Sequence, residues 1–381
     1  MHFLVKHGFK GSILPINPSA GEILGITAYA SIGDAPGPID VALLAVPAAQ
    51  IPATLVECGN AGVAGCVILA ADFAEAGDEG AARQDELVQI ARARGMRLFG
   101  PNCLGFINPA LKLALTSSVA LAVEPMPTGH IGLVSQSGSL MASLISHAQD
   151  LGAGFSVAVS VGNQADLEIC DFVEYFLENQ ATHAICAYIE GLKDGRRFLE
   201  LAAQCRAAGK PLIAVKAGGS AAGARITASH TASLAGSNIV WEAACREHAV
   251  LLLDDPEAMI QCADFLLRFG APRGDGIAAL SPSGGTTAVT ADRIAAAGPR
   301  LAQLSDAMQR ELHAWPLLTG TRGRIPADVD ALVNVMVRVG WLAATLGPRL
   351  GELDINPLLV RNAGDGAVAL DARATLAAEP Q

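Results

Sequence analysis

Short apolar runs alternate with stretches of helical spacing along most of the chain. The runs are continuous rather than alternating, which is typical of parallel strands covered on both faces of a sheet. They predict buried strands at 12–17, 40–46, 65–70, 130–135, 156–161, 184–189, 211–216 and 276–281.

The stretches between these runs have the spacing of amphipathic helices. The clearest cover 83–95 and 196–210, and both end close to a glycine, a common helix terminator. Because strands and helices alternate at this period, the sequence predicts an α/β fold. The expected architecture is a tandem of Rossmann-like and flavodoxin-like doubly wound parallel sheets.

Three breaks in the pattern predict domain boundaries. Prolines and glycines interrupt it at 122–130 and at 269–276, and the pattern changes again near Ala314 and Trp315. The segment between the last two breaks carries one strand and one helix, which is too little to close a core. Beyond the last break, the pattern predicts one amphipathic helix (327–346) and two strands (351–360 and 366–371).

Composition and charge exclude several classes of protein. Hydrophobic residues make up 51% of the 381 residues and charged residues 17%, which excludes a disordered chain. No uninterrupted apolar run reaches the roughly 18 residues of a membrane helix, so we expect no membrane span. The net charge of −11 argues against nucleic acid as a partner. A small anionic ligand stays possible, because helix termini create local positive fields.

Eight cysteines are scattered through the chain without a CxxC pair. Single cysteines in a chain of this size indicate reduced thiols rather than a disulfide framework. The first residues also lack the apolar centre of a signal peptide. We therefore expect a cytoplasmic protein.

The segment 216–237 is rich in glycine, alanine and serine and contains one histidine, His230. Small residues let backbone amides approach a phosphate closely, and a neutral imidazole near pH 7 is able to take a phosphoryl group. The plainer alternative is a surface loop with a solvated histidine. The spacing alone favours that alternative.

Glu190 follows the predicted strand 184–189. A carboxylate at the carboxyl end of a parallel strand lies where α/β folds place their ligands, and it would suit the second ring nitrogen of His230. The alternative is an exposed loop carboxylate.

The sequence SQSGSL at 135–140 joins a predicted strand to a helical stretch. Ser137, Gly138 and Ser139 would then present free amides and a helix dipole to a phosphate. An ordinary helix N-cap requires the same residues. A weaker copy of this pattern occurs at 281–289.

Cys103 lies in a loop of unusual sequence, GPNCLG at 100–105. A cysteine is a potential nucleophile, but no histidine or basic residue is adjacent in sequence to lower its pKa. We favour a structural or ligand-lining role.

With SQSGSL, YIEG and SHTASLAG in this order, together with GPNCLG, the chain resembles the nucleoside-diphosphate-forming acyl-CoA synthetases, relatives of succinyl-CoA synthetase. The resemblance implies four parts. They are a CoA-binding domain (1–124), a succinyl-CoA-synthetase-like flavodoxin domain (125–270), the start of a second such domain (271–314) and the end of an ATP-grasp domain (315–381).

The resemblance also implies a reaction. An acyl-CoA and phosphate give an acyl phosphate, His230 takes the phosphoryl group with Glu190 as its partner, and ADP then receives it. Coenzyme A, ATP or ADP and Mg²⁺ are the implied cofactors, and a small carboxylic acid is the implied substrate. The remaining implied site residues are Ser137, Gly138 and Ser139 for phosphate, Asn17, Val46, Pro47 and Cys103 for CoA, and Asn356 and Asp371 for magnesium.

The chain departs from the family pattern in several places. The glycine turn that opens a CoA-binding domain is missing, and Asp72 and Ala232 stand where glycine is common. Residues 315–381 contain no lysine, although the ATP-grasp fold uses lysine on nucleotide phosphates. We therefore expect impaired use of ATP, and either a homodimer or a partner chain that carries an ATP-grasp domain.

Three hypotheses of function compete. The first is an ADP-forming acyl-CoA synthetase, active or inactivated by truncation, and the second is a non-catalytic CoA- or acyl-CoA-binding protein. Phosphorylation of His230 would separate these two. The third is a nicotinamide oxidoreductase, which requires a GxGxxG motif between a strand and a helix, and the sequence has none in that context.

Overall fold

The computed structural model of the protein describes residues 1–122, 124–220, 238–272, 284–301, 325–355 and 357–376, together with residues 223, 274, 276, 277 and 320. The chain divides into two units, Met1–Ala271 and Pro272–Gln381. The segment containing His230, Asn356 and nearly half of the predicted part 271–314 lie outside the described residues.

The described part of the first unit contains twelve strands and eight helices. The strands are β1 (Glu22–Ile23), β2 (Ile26–Thr27), β3 (Val41–Leu44), β4 (Gly65–Ile68), β5 (Arg97–Phe99), β6 (Gly105–Asn108), β7 (Leu113–Thr116), β8 (Thr128–Ser135), β9 (Phe155–Ser160), β10 (Ala184–Ile189), β11 (Leu212–Lys216) and β12 (Leu251–Leu252). The helices are α1 (His2–Lys6), α2 (Ile51–Asn60), α3 (Asp78–Arg92), α4 (Gly138–Leu151), α5 (Ile169–Glu178), α6 (Gly195–Ala207), α7 (Asn238–Glu247) and α8 (Pro256–Phe269).

A seven-stranded sheet forms the centre of this unit, in the order β12-β11-β10-β8-β9-β6-β7. The five strands from β12 to β9 are parallel, and their order is that of a flavodoxin-like doubly wound sheet. The predicted α/β class with doubly wound sheets is therefore confirmed. The hairpin β6–β7 adds two antiparallel strands at one edge, although it precedes the boundary predicted near residue 124.

Helices cover both faces of this sheet, which explains why its strands are apolar throughout. Leu133 packs in one core with residues of α4 and α8, while its neighbour Val134 packs in a second core with residues of α5 and α6. Successive residues of a strand point to opposite faces, so a strand buried on both sides needs an apolar residue at every position.

A smaller parallel sheet, β3-β4-β5, lies in the N-terminal part of the unit with its own core of α2 and α3. The strand predicted at 12–17 is wrong. Ile16 forms only an isolated bridge to Tyr29, because Pro15 and Pro18 carry no N–H for a ladder. Asp72 has a left-handed backbone (φ 74°), which accounts for the glycine common at that position in the family pattern.

Asp166 connects the two sheets. Its carboxylate accepts hydrogen bonds from Arg97 Nε at 2.8 Å and from the backbone N–H of Leu98 at 3.0 Å. The backbone continues the connection, since Leu167 N donates to the carbonyl of Leu98 and Ala165 N to that of Gly100. The end of β5 is therefore held against the loop that follows β9.

The second unit is described by two helices and six strands. The helices are α9 (Gly284–Ala297) and α10 (Val329–Leu346), and the strands are β13 (Gly276–Ile277), β14 (Arg300–Leu301), β15 (Leu350–Ile355), β16 (Leu358–Val360), β17 (Ala367–Ala369) and β18 (Ala372–Leu376). The strand predicted at 351–360 is divided into β15 and β16, with Pro357 between them, and the strand predicted at 366–371 is shortened to β17. With β18, which follows the predicted range, they form two antiparallel ribbons, β15–β18 and β16–β17.

Helix α10 lies close to its predicted position and is long and apolar enough, by length and composition, to cross a membrane. Core helices of soluble proteins pass the same test. Asp330 and Arg338 lie within the helix, which is why a search for an uninterrupted apolar run does not find it. Asp328 caps its start by accepting from Ala331 N at 2.9 Å, and it also accepts from Gly364 N and Gly366 N of the ribbon turn.

We predict that Asp166→Ala lowers the free energy of unfolding by about 1–3 kcal/mol, because it leaves the Leu98 N–H and the Arg97 guanidinium without their acceptor. Asp264→Ala is the matched control, since it removes an i,i+4 pair with Arg268 on a helix surface. That pair is worth about 0.3–0.5 kcal/mol. Urea unfolding measures both, and equal losses would contradict the connecting role of Asp166.

Candidate functional site

A cavity of about 480 Å³ opens at the carboxyl ends of β8, β9 and β10. The chain connections diverge at β8, because β9 lies on one side of it and β10 on the other. Ligands of open α/β sheets bind at this kind of switch point. The lining residues are Leu69, Ala74, Glu75, Asn102, Cys103, Leu104, Gln136, Ser137, Gly138, Ser139, Gly162, Asn163, Gln164, Glu190, Gly191, Leu192 and Lys193.

The start of helix α4 forms one wall of the cavity. Ser137 is the N-cap, and its Oγ accepts from Leu140 N at 3.3 Å and lies 3.2 Å from Ser139 Oγ. A Cβ at Gly138 would lie 2.6 Å from Leu104 Cγ, so this position requires glycine. The three residues predicted to bind phosphate therefore lie together where the dipole of α4 points into the cavity.

Glu190 lies at the opposite wall, directly after β10. The side-chain carbonyl of Gln136 accepts hydrogen bonds from the backbone N–H groups of Glu190 and Gly191. The next strand, β11, ends beside it, because Ala217 N donates to the Ile189 carbonyl at 2.8 Å. The predicted histidine loop therefore leaves the sheet next to Glu190, although His230 itself lies outside the described residues.

Lys193 is the one cation among the described residues that line the cavity. Its ammonium donates to the backbone carbonyls of Gln164 and Ala165. Burial lowers the pKa of Lys193, and the nearby carboxylate of Glu168 acts in the opposite direction. The sequence analysis missed this residue. Its only signal was its place three positions after Glu190.

An amide network at the rim was also missed. Asn163 donates through Nδ2 to the carboxylate of Glu75 and to Gln84 Oε1, and Asn102 donates to Asn163 Oδ1 at 3.2 Å. Gly162 has a φ of +52°, and a Cβ there would collide with the carbonyl oxygens that precede Cys103. The loops after β5 and β9 therefore pack against each other at the cavity.

Cys103 is buried in this wall, with 5% of its surface exposed. Its thiol donates to the Ile68 carbonyl, and burial raises its pKa to about 11. The thiol is thus neutral near pH 7, which favours the ligand-lining role over a nucleophile.

The other predicted CoA-site residues do not line this cavity. Val46 and Pro47 lie two and three residues after the end of β3, at the carboxyl end of the smaller parallel sheet. Asn17 is bound locally, since its side chain accepts from Ser19 N and its backbone N–H donates to Tyr29. The position of Val46 and Pro47 after a parallel strand suits a ligand.

Of the two predicted magnesium ligands, Asn356 lies outside the described residues and Asp371 is an exposed residue of the ribbon. Within the described part of the chain, no group of three histidine, cysteine or acidic side chains could hold a metal ion. Of the predicted pair of ligands, the described residues thus include Asp371 alone.

Three family models match the chain. Residues 1–109 match a CoA binding domain, residues 128–266 a succinyl-CoA ligase like flavodoxin domain, and residues 277–376 an ATP-grasp domain. The last match spans both predicted parts 271–314 and 315–381, so the boundary between those two parts stays a prediction.

Named relatives agree with these matches. The chain is 40% identical over 305 residues to the alpha subunit of acetate–CoA ligase [ADP-forming] II from Pyrococcus furiosus, which is 80% of this chain and 65% of that subunit. A stretch of 69 residues, 18% of this chain, is 42% identical to 29% of the beta subunit of the same enzyme. The chain thus spans less than two thirds of the length of that alpha subunit.

A solved structure is similar over most of the chain. It is a dinucleotide forming acetyl-coenzyme A synthetase 1 of Ca. Korarchaeum cryptofilum, in complex with phosphate and ADP. It superposes with a TM-score of 0.75 at 32% identity, over 82% of this chain and 67% of that one.

The fold and the cavity define an α/β protein with a polar cavity at the switch point of a flavodoxin-like sheet. Together with the three domain matches and the relatives, they identify its family. The chain belongs to the ADP-forming acyl-CoA synthetases, as its sequence motifs predict.

We predict that the Cys103 thiol resists alkylation in the folded protein. With a pKa of about 11, roughly one thiol in a thousand is ionised at pH 8, and the side chain is buried. After brief treatment with iodoacetamide, mass spectrometry should show partly exposed Cys262 modified before Cys103. Both should react in urea. Preferential modification of Cys103 in the native protein would indicate a reactive thiol.

Proposed function

We propose that this chain acts as an ADP-forming acyl-CoA synthetase on a small carboxylic acid, through an acyl phosphate and a phosphohistidine. One observation carries the proposal. The cavity brings together the helix start at Ser137–Ser139 and Glu190, and β11, from which the histidine loop leaves, ends beside Glu190. These are the parts that phosphoryl transfer to a histidine requires on the protein side.

The proposed reaction has three steps. A phosphate oxygen attacks the thioester carbonyl carbon, the C–S bond breaks, and CoA leaves as the thiol after taking a proton. A ring nitrogen of His230 then attacks phosphorus, and the P–O bond to the carboxylate breaks. Finally an oxygen of ADP attacks phosphorus and the P–N bond breaks, which gives ATP. The reverse direction makes acyl-CoA.

The chain's own residues would do three things in these steps. The amides at the start of α4 hold the phosphate, with a contribution from the helix dipole of about 0.3–1 kcal/mol that grows when the site is buried. Glu190 accepts from the second ring nitrogen of His230 and stabilises its charged form. Buried Cys103 and Leu104 give the cavity an apolar wall, which keeps water from part of the site.

Coenzyme A would bind at the carboxyl end of β3, beside Val46 and Pro47. The support is the CoA-binding match over 1–109 and the position of both residues after a parallel strand. The cytoplasm is the proposed compartment, since all eight cysteines are free thiols.

A partner chain that carries an ATP-grasp domain would allow this chain to use ATP or ADP. The described part of the second unit leaves large apolar side chains exposed on α10, with Met336 at 64%, Trp341 at 70% and Leu342 at 44%. Large apolar side chains exposed together on one helix mark a surface that another domain or chain covers. The similarity of part of the chain to a beta subunit supports an ATP-grasp domain as the missing cover.

The first test of this proposal is phosphorylation. We expect ³²P-labelled acetyl phosphate to give acid-labile, base-stable label on the purified chain, and ATP with magnesium to give label only when an ATP-grasp subunit is added. His230→Ala should abolish the label. His248→Ala is the control, because His248 directly follows α7 and its ring contacts the Ala244 carbonyl.

Label that persists in His230→Ala would overturn the site. Label from ATP without any partner would overturn the need for a second chain. No label from acetyl phosphate, with CoA still bound, would leave the non-catalytic CoA-binding protein as the better description.

A second test concerns the CoA site. Val46→Asp places a carboxylate at the carboxyl end of β3, and repulsion of an anionic ligand should weaken CoA binding by about tenfold. Val240→Asp is the control, since Val240 is 67% exposed on α7. Calorimetric titration with CoA measures both. Unchanged affinity in Val46→Asp would place the CoA site elsewhere.

A further inference from the structure

Gln136 joins the two loops that diverge at the switch point. It follows β8, is 7% exposed, and its backbone N–H donates to the Tyr188 carbonyl at 3.2 Å. Its side-chain carbonyl accepts from the backbone N–H groups of both Glu190 and Gly191, the latter at 2.9 Å. One amide oxygen thus satisfies two donors of the loop that carries the proposed partner of His230.

We infer that Gln136 is a positioning residue that fixes Glu190 for phosphoryl transfer. The inference rests on the proposed function, because it assigns the role of Gln136 through the role of Glu190. Gln136 lies one residue before Ser137, the N-cap of α4. It therefore sets the spacing between the proposed phosphate-binding start of that helix and the carboxylate of Glu190.

A second glutamine supports the same loop from the other side. Gln164 is 5% exposed, and its Nε2 lies 3.5 Å from the Gly191 carbonyl while its Oε1 accepts from Ile169 N at 3.0 Å. Lys193 donates to the backbone carbonyl of Gln164. The loop 190–193 is therefore held to the ends of both β8 and β9.

Hydrogen-bond chemistry explains why a glutamine suits position 136. The loop offers two N–H donors at a buried place, and buried donors without acceptors are strongly unfavourable. An amide oxygen accepts both without adding a negative charge beside a carboxylate and a phosphate. A methionine of similar length would leave both N–H groups unpaired, whereas a glutamate would keep the acceptor.

The test compares Gln136→Met, Gln136→Glu and a control, Gln149→Met. Gln149 is another glutamine of the same sheet unit, near the end of α4, and its buried Nε2 has no hydrogen-bond partner. The first readout is amide hydrogen exchange of a peptide that contains Glu190 and Gly191. We expect exchange at least about tenfold faster in Gln136→Met, and protection close to that of the wild type in Gln136→Glu and Gln149→Met. Equal loss of protection in both Gln136 variants, or none in either, would overturn the hydrogen-bond role.

The second readout is the rate of His230 labelling by acetyl phosphate. Gln136→Met should lower the maximal rate by about tenfold or more, with the half-saturating concentration changed by less than about twofold. In a Glu190→Gln background the same substitution should add little, because both act through one carboxylate. Losses that multiply, or labelling at the wild-type rate in Gln136→Met, would refute the positioning role.

The two readouts separate this inference from the proposed function. Exchange needs no phosphoryl donor. A wild-type chain that takes no label would refute the proposed function, and the exchange result would still decide whether Gln136 anchors the Glu190 loop.

Discussion

The change of connection at β8 is the constraint on which the site depends. Because β9 and β10 lie on opposite sides of β8, the loops that follow β8 and β10 separate and leave a crevice between them. The start of α4 enters this crevice from one side and Glu190 from the other. A sheet with the strands in simple sequential order would cover the same edge with adjacent loops, and the two walls of the cavity would have no space between them.

The crevice keeps its shape because polar groups connect its walls. Gln136 crosses it at the level of the strands, and Lys193 ties the loop 190–193 to the loop that follows β9. Asp166, in the loop after β9, holds the smaller sheet against that loop. Each of these groups satisfies backbone donors or acceptors that strand ends leave unpaired. The polar residues of the site thus have a structural basis that is independent of any ligand.

Much of this could be predicted from the sequence, and the exceptions have physical causes. Runs such as 184–189 predicted their strands correctly, because burial on both faces demands apolar residues at every position. The run 12–17 forms no strand, because Pro15 within it and Pro18 after it carry no N–H for a ladder. The motif SQSGSL predicted the helix start, whereas the roles of Gln136, Lys193 and Asn163 depend on contacts between distant segments and have no local pattern. The attachment of the hairpin β6–β7 to the larger sheet is likewise a pairing across the predicted boundary.

In the second unit, local sequence signals form a helix that tertiary packing does not bury. Its helix α10 follows the predicted spacing, is capped by Asp328, and still buries none of its large apolar side chains in the described structure. Local signals therefore suffice to form the helix, while the surface that would stabilise it has to come from elsewhere. In the first unit the same kinds of signals are backed by cores on both faces of a sheet. The unit that carries the proposed acyl phosphate and phosphohistidine site thus has a core on both faces of its sheet, whereas the described part of the unit that resembles an ATP-grasp domain leaves α10 exposed.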